Sequence, residues 1–467
     1  MSQYSAVLPI LVAYCLALLL VGAFASRSVR QAEDFFVAGR SLPPTLIFST
    51  FLAANLGAGS TVGAAEFGYT SGLPAWWWVG SAGIGSVALA FLVGPRLHRV
   101  AKARGLYTVG DYLELRYGRA TRLAVAAILL VGAPAILAGQ IIAAGLVLQA
   151  AVGLPKSFGT AIAGTLATAY FAMGGLRSAS WVNSLQVAVK AVGFLVAVPW
   201  MIAASGGWPD VAAAAADDSA LSLGGAGFGG TAQLVLLLAP AFVVSPGLVQ
   251  KLFGARDERA VRIGVGLQAA ALLAYAVLPV LLGMAARVHF PELADPGSAL
   301  VRLFTEVAPM WLGALMLAAI LSAEVSSADA VLFMIATSLS RDVLEPLSRG
   351  KLSDRERLAL ARRSALGAGA LSILLANWFQ SILSALSFFY SLLTLTLFVP
   401  LVAGLFWRRP GQSVALAAIA SSLGAAGLAV LAGGAVEGWL PPVPVGILAG
   451  GVVYVAHAAT NQRPSNP

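Results

Sequence analysis

The sequence predicts an all-α polytopic membrane protein of about thirteen transmembrane helices, built as two inverted groups of five with peripheral helices before and after them. Three observations carry this reading. The 467 residues are 59% hydrophobic and 10% charged, with a mean hydropathy of +0.86; soluble domains carry roughly 25% charged residues. Apolar runs long enough to cross a bilayer recur along the whole chain. Finally, Lys and Arg concentrate in alternate connections between those runs.

The first run, 7–24, is longer than a secretory h-region and is followed by no convincing cleavage site, so it reads as a retained helix over 5–25. It contains Cys15, the one cysteine, which excludes an intrachain disulfide and a cysteine metal cluster. The remaining spans are predicted at 42–70, 75–95, 120–151, 157–173, 179–203, 229–250, 260–287, 308–340, 358–377, 381–406, 412–432 and 441–459. With these boundaries, 25 of the 29 Lys and Arg residues fall on one side of the membrane. Lys156, Arg287 and Arg302 fall on the other, and Lys190 lies within a span. The positive-inside rule then puts the N-terminus outside and the C-terminus in the cytoplasm of a cell (inner or plasma) membrane. The net charge of +9 is therefore topological, and nucleic-acid binding is excluded by where the charges sit.

No connection is long enough for a soluble domain. The longest outer ones are 204–228 and 288–307, and the inner ones at 96–119 and 341–357 are basic. Within the former of these, 108–118 reads as a short helix along the inner surface. If the first helix is peripheral, helices two to six and seven to eleven form two groups of five. An odd number of spans inserts the second group upside down relative to the first. The expected division is 1–41 (peripheral helix and inner loop), 42–205 (first repeat), 206–228 (outer connection), 229–409 (second repeat) and 410–467 (two peripheral helices and a short tail).

Two polar interruptions stand inside these apolar spans. The first is Ala53-Ala54-Asn55-Leu56-Gly57-Ala58-Gly59-Ser60; the second is Ala323-Glu324-Val325-Ser326-Ser327-Ala328-Asp329. Polar groups in hydrocarbon are costly and usually mark a site or pathway. Glycines weaken a helix by about 1 kcal/mol each, and an unwound stretch would free carbonyls for a cation and amides for a solute. Close helix packing through small residues explains the first interruption equally well. Serines bonding back to carbonyls one turn earlier explain the second.

The order and spacing of several motifs resemble the sodium:solute symporter family. They are Phe35–Leu42, Ala53–Leu56, Thr108–Gly118, Gly174-Gly175-Leu176-Arg177, Pro246–Lys251, Ser322–Asp342 and Gly404–Arg409. The resemblance implies the leucine-transporter fold and a Na⁺ site between helices two and nine. Carried over, Ala53, Leu56 and Ala323 would offer carbonyls, and Ser326 and Ser327 hydroxyls. The family's Trp-Thr-Asp-like stretch reads Trp181-Val182-Asn183 here, so a second, carboxylate-dependent cation site is not expected. Glu324 and Lys190 each lie near mid-span, and an ion pair between them is expected to replace that carboxylate.

The resemblance places the solute beside the broken first and sixth core helices. Candidates are Asn55, Gly59, Ser60, Gln140, Ser245, Phe388 and Tyr390. Trp76-Trp77-Trp78 is expected to form an interfacial belt. The apolar run 236–244 around Pro240 favours a compact amino acid or carboxylate over a sugar. The expected function is Na⁺-coupled symport of a small organic solute by alternating access, with no catalytic residues, no cofactor beyond the coupling ion and no obligate protein partner. H⁺ symport through Glu324 and a transporter-like solute sensor are the alternatives. A membrane enzyme is disfavoured because His98, His289 and His457 are scattered near span ends.

Overall fold

In hydrocarbon every backbone N–H and C=O must be satisfied internally, which leaves helices as the economical way across. The computed structural model describes residues 7–348, 352–376, 382–406, 411–432 and 441–460, and helix dominates throughout. In chain order the helices are α1 (Val7–Ser26), α2 (Pro44–Asn55), α3 (Val62–Ser71), α4 (Leu73–Arg104), α5 (Val109–Tyr117), α6 (Arg119–Val152), α7 (Lys156–Ala204), α8 (Gly227–Val244), α9 (Pro246–Phe253), α10 (Glu258–His289), α11 (Met310–Leu347), α12 (Asp354–Leu375), α13 (Ile382–Phe406), α14 (Gln412–Ala432) and α15 (Pro442–Thr460). Trp407, Arg408 and Arg409, which complete one family-like motif, lie outside the described residues.

Among the described residues, eleven stretches are long and apolar enough to span a membrane, or twelve when the bent pair formed by α2 and α3 counts as one. The sequence predicts about thirteen; the remaining one, 157–173, forms the first part of α7, a stretch shorter and less apolar than the others, and the chain breaks from helical geometry between it and the span 174–204. It turns at Gly175, whose φ of +54° is closed to most side chains, and a Cβ there would come within 2.6 Å of the Phe35 carbonyl oxygen.

α11 is the axle of the molecule: 94% of its apolar window is buried. It packs against α6 and α7, with α12 alongside. α2 packs on α7 and on the first half of α10, and α3 on the second half of α10. α14 and α15 pack chiefly on each other, and α1 on α7, as expected of peripheral helices.

One end of the bundle is clamped by charge. Arg122 of α6 lies 3.0 Å from both Asp111 of α5 and Asp342 of α11. It also pairs with Glu114 and donates to the Arg341 carbonyl at 2.7 Å. Thr108 caps α5 and donates to Asp342 at 2.7 Å. The expected surface helix is therefore partly an interior element: Tyr112 and Leu113 are buried, and Gly110 sits so close to Asp342 that a Cβ would fall 2.5 Å from its carboxyl carbon. At the same end Leu42 bridges to 254–256, its N–H donating to the Gly254 carbonyl at 2.9 Å. That pair of bonds ties the start of α2 to the end of α9.

Removing one partner of a buried pair costs about 3–5 kcal/mol because the other charge is stranded. Arg122→Ala should lower the unfolding midpoint in detergent, and adding Asp342→Asn should recover part of the loss. Additive losses in the double variant would contradict a direct pair.

Candidate functional site

Two spans are broken at their centres. α2 stops at Asn55, Leu56 and Gly57 leave helical geometry, and α3 departs at 77° to α2. Gly57 is required by close approach: a Cβ there would lie 2.2 Å from Ser327 Oγ and 2.6 Å from Gln140 Oε1. The second break is at Ser245, between α8 and Pro246 at the start of α9. Proline at a helix start sacrifices no intrahelical bond.

Breaking a helix orphans backbone groups, and here neighbouring side chains recover many of them. Ser60 Oγ accepts from Gly57 N at 2.9 Å and donates to the Asn55 carbonyl at 2.8 Å. Gln140 Oε1 accepts from Ala58 N at 2.8 Å. The Thr61 hydroxyl lies 2.8 Å from both the Gly57 carbonyl oxygen and Glu324 Oε1. Ser327 Oγ donates to the Ala54 carbonyl at 3.0 Å.

The structure brings together the five residues that the resemblance places around a cation. Ser326 Oγ is 2.8 Å from the Ala53 carbonyl oxygen and 2.9 Å from that of Ala323. Ser327 Oγ lies 3.4 Å from the same Ala53 oxygen, and the Leu56 carbonyl closes the group through Lys190. All five residues are buried.

The expected Lys190–Glu324 ion pair is not formed. Lys190, fully buried on α7, instead donates to the Ala53 carbonyl at 3.1 Å, the Leu56 carbonyl at 3.1 Å and Ser326 Oγ at 2.8 Å. The reason is helical register. Glu324 and Ser326 are two residues apart on α11 and so point about 200° apart; Ser326 meets Lys190 while Glu324 turns to Thr61. Asn183 is buried with no hydrogen-bond partner for its amide, and joins neither group.

Beside these oxygens lies a cavity walled by both helix breaks together with α4, α6, α11 and α13. Of the residues the sequence singles out for a solute, Asn55, Gly59, Ser60, Gln140, Ser245 and Tyr390 border it. Phe388 does not: it is 47% exposed, whereas the next residue, Phe389, is buried and lines the cavity. One residue of helix rotates a side chain by about 100°, so the sequence locates the segment and misses the facing ring. Trp78 also departs from expectation. Rather than sitting in an interfacial belt, it is buried against the cavity, with its indole N–H donating to the Gly59 carbonyl at 2.8 Å. Phe242, absent from the sequence candidates, stacks obliquely on Tyr390 with centroids 5.3 Å apart. Among the described residues no charged side chain lines the cavity, and Asn55 Nδ2 is a buried donor with no protein partner.

A family profile described as "Sodium:solute symporter family" matches residues 35–421. The chain belongs to the sodium:solute symporter family. It is 24% identical over 420 residues to the high-affinity proline transporter PutP of Bacillus subtilis (strain 168), covering 86% of this chain and 87% of that one. It is 26% identical over 443 residues to the sodium/pantothenate symporter of Escherichia coli (strain K12), covering 89% of each. Among solved structures, the substrate-bound outward-open state of a Na⁺-coupled sialic acid symporter superposes with a TM-score of 0.83 at 19% identity, covering 98% of both chains. The fold is thus the leucine-transporter type with its inverted repeat. This symporter-family membrane protein is a secondary transporter and not an enzyme, and its membership is consistent with Na⁺-coupled symport by alternating access.

Gly57→Ala should abolish solute flux while leaving expression and monodispersity close to wild type, because the added methyl collides with Ser327 and Gln140 at the break. Undiminished flux in a folded Gly57→Ala protein would show that this close approach is dispensable.

Proposed function

We propose that this protein moves a small organic solute, an amino acid or carboxylate in preference to a sugar, across a cell membrane by alternating access. The observation that carries the proposal is the uncharged cavity at the meeting of two broken helices, next to a cluster of cation-seeking oxygens. Its polar groups are few (Asn55, Ser60, Gln140, Ser245 and Tyr390 among aromatic and aliphatic walls), which suits a compact solute with one polar head. A sugar needs hydrogen-bond partners around its whole ring. The relatives named above support the class: one is a proline transporter and one a pantothenate symporter. The excess of Lys and Arg in alternate connections supports an outer N-terminus and a cytoplasmic C-terminus.

The family supports Na⁺ as the coupling ion, and Ala53, Leu56, Ala323, Ser326 and Ser327 supply the oxygens where it would act. One observation favours a second reading of that position: Lys190 Nζ already stands among those oxygens.

Counterflow in proteoliposomes tests the transport reading without presupposing a driving ion. Vesicles preloaded with an unlabelled pool of amino acids, carboxylates and sugars should exchange one labelled compound class from outside. Asn55→Leu, which removes the unpartnered donor, should raise the half-saturation concentration about tenfold or more, the cost of roughly 1.4 kcal/mol. Exchange no faster than in protein-free vesicles, or saturable binding without flux, would contradict transport and favour a sensor.

A further inference from the structure

We propose that the Lys190 ammonium is a built-in substitute for the coupling Na⁺, so that this chain does not take up Na⁺ at the family's cation position. The inference deepens the transport reading above by naming what fills that position.

An ammonium has three N–H donors and no acceptor. Lys190 spends its three on the Ala53 carbonyl, the Leu56 carbonyl and Ser326 Oγ, at 3.1, 3.1 and 2.8 Å. These acceptors belong to the five-residue set that would coordinate Na⁺. A metal ion held by them would have to overlap Nζ. The other two members are engaged as well: Ser326 Oγ lies 2.9 Å from the Ala323 carbonyl oxygen, and Ser327 Oγ donates to Ala54.

The electrostatics of the position suit a fixed cation. Ala53 and Leu56 lie at the C-terminal end of α2, where the helix dipole presents partial negative charge. Lys190 is fully buried, and desolvation of an ammonium is tolerated only where strong acceptors replace water. Glu324 does not pair with it, being turned toward Thr61. A second buried lysine, Lys251 on α9, has a different acceptor, the Thr50 carbonyl at 3.4 Å. Lys190 therefore has one set of partners, and it is the set a transported ion would need.

The functional consequence is specific. A mobile ion biases a two-state transporter through its differential affinity for the two states. A tethered ammonium supplies the bridging contacts between α2 and α11 permanently, and it cannot be carried across. Solute flux at this position then does not draw on the Na⁺ gradient.

The test uses Na⁺ itself as the probe: equilibrium binding of ²²Na⁺ to the purified full-length protein, with choline replacing unlabelled Na⁺. Wild type should show no saturable binding that depends on Ser326 and Ser327. Lys190→Ala vacates the oxygens and should gain saturable binding of about one equivalent, which Lys190→Ala/Ser326→Ala/Ser327→Ala loses again. Should Lys190→Ala prove unstable, Lys190→Met keeps the buried stem and carries the same expectation. Saturable ²²Na⁺ binding by wild type that is lost in Ser326→Ala/Ser327→Ala would overturn the proposal. So would a folded Lys190 variant that still binds no Na⁺. Counterflow run on the same preparations separates this from the transport reading: absent solute exchange sinks the latter and leaves the Na⁺ result standing.

Discussion

The structure turns on the carbonyl oxygens released where α2 breaks. A helix interrupted in the middle of a membrane exposes backbone acceptors that neither lipid nor a continued helix can satisfy. Ala53 and Leu56 carry two of these acceptors, and a buried cationic group from α7 meets both while also meeting Ser326 of α11. Three helices distant in sequence are thereby fixed to one another at a single point. The cavity, the close approach of Gly57 to Ser327 and the placing of Gln140 against Ala58 all follow from the break being held in this geometry.

A second constraint is built from charge. The Arg122 network joins α5, α6 and α11 at one end of the bundle, and the Leu42 bridge joins the start of α2 to the end of α9 there. Both devices bind together elements that a rocking motion would have to separate or carry as a unit. The cavity between the breaks, by contrast, is bordered by neutral polar groups and aromatic rings, so a solute there meets few strong electrostatic anchors. Affinity must come from a small number of hydrogen bonds and from fit against Trp78, Phe242 and Tyr390.

Much of this was legible in the sequence, and the reasons are physical. Membrane insertion imposes long apolar runs and an asymmetry of Lys and Arg, so the spans can be counted from the sequence, and the break at Gly175 falls between the two helices expected there. The first polar interruption coincides with the break in α2, the second lies on the unbroken α11 facing that break, and the five residues expected around a cation lie together there. What escaped was angular. The sequence shows Lys190 as a charge within a span, but depth alone does not identify its partner, and two residues of register on α11 separate Glu324 from Ser326. The same kind of slip exchanged Phe388 for Phe389. Trp78 was read as one of three similar residues, whereas only a folded α4 shows that it reaches across to Gly59. Depth is written in a membrane sequence by hydropathy, while facing depends on packing between helices that hydropathy does not encode.

The placement on which the site depends is that of the Lys190 ammonium, proposed to fill the family's ion position. Its most direct test is an experimental structure of the protein in lipid, determined after exchange of Na⁺ for Tl⁺ and examined for anomalous scattering. The account predicts continuous density from the α7 backbone to a nitrogen between the Ala53 and Leu56 carbonyls and Ser326, with no anomalous peak there. A Tl⁺ peak among those oxygens, with Lys190 withdrawn toward Glu324, would contradict it.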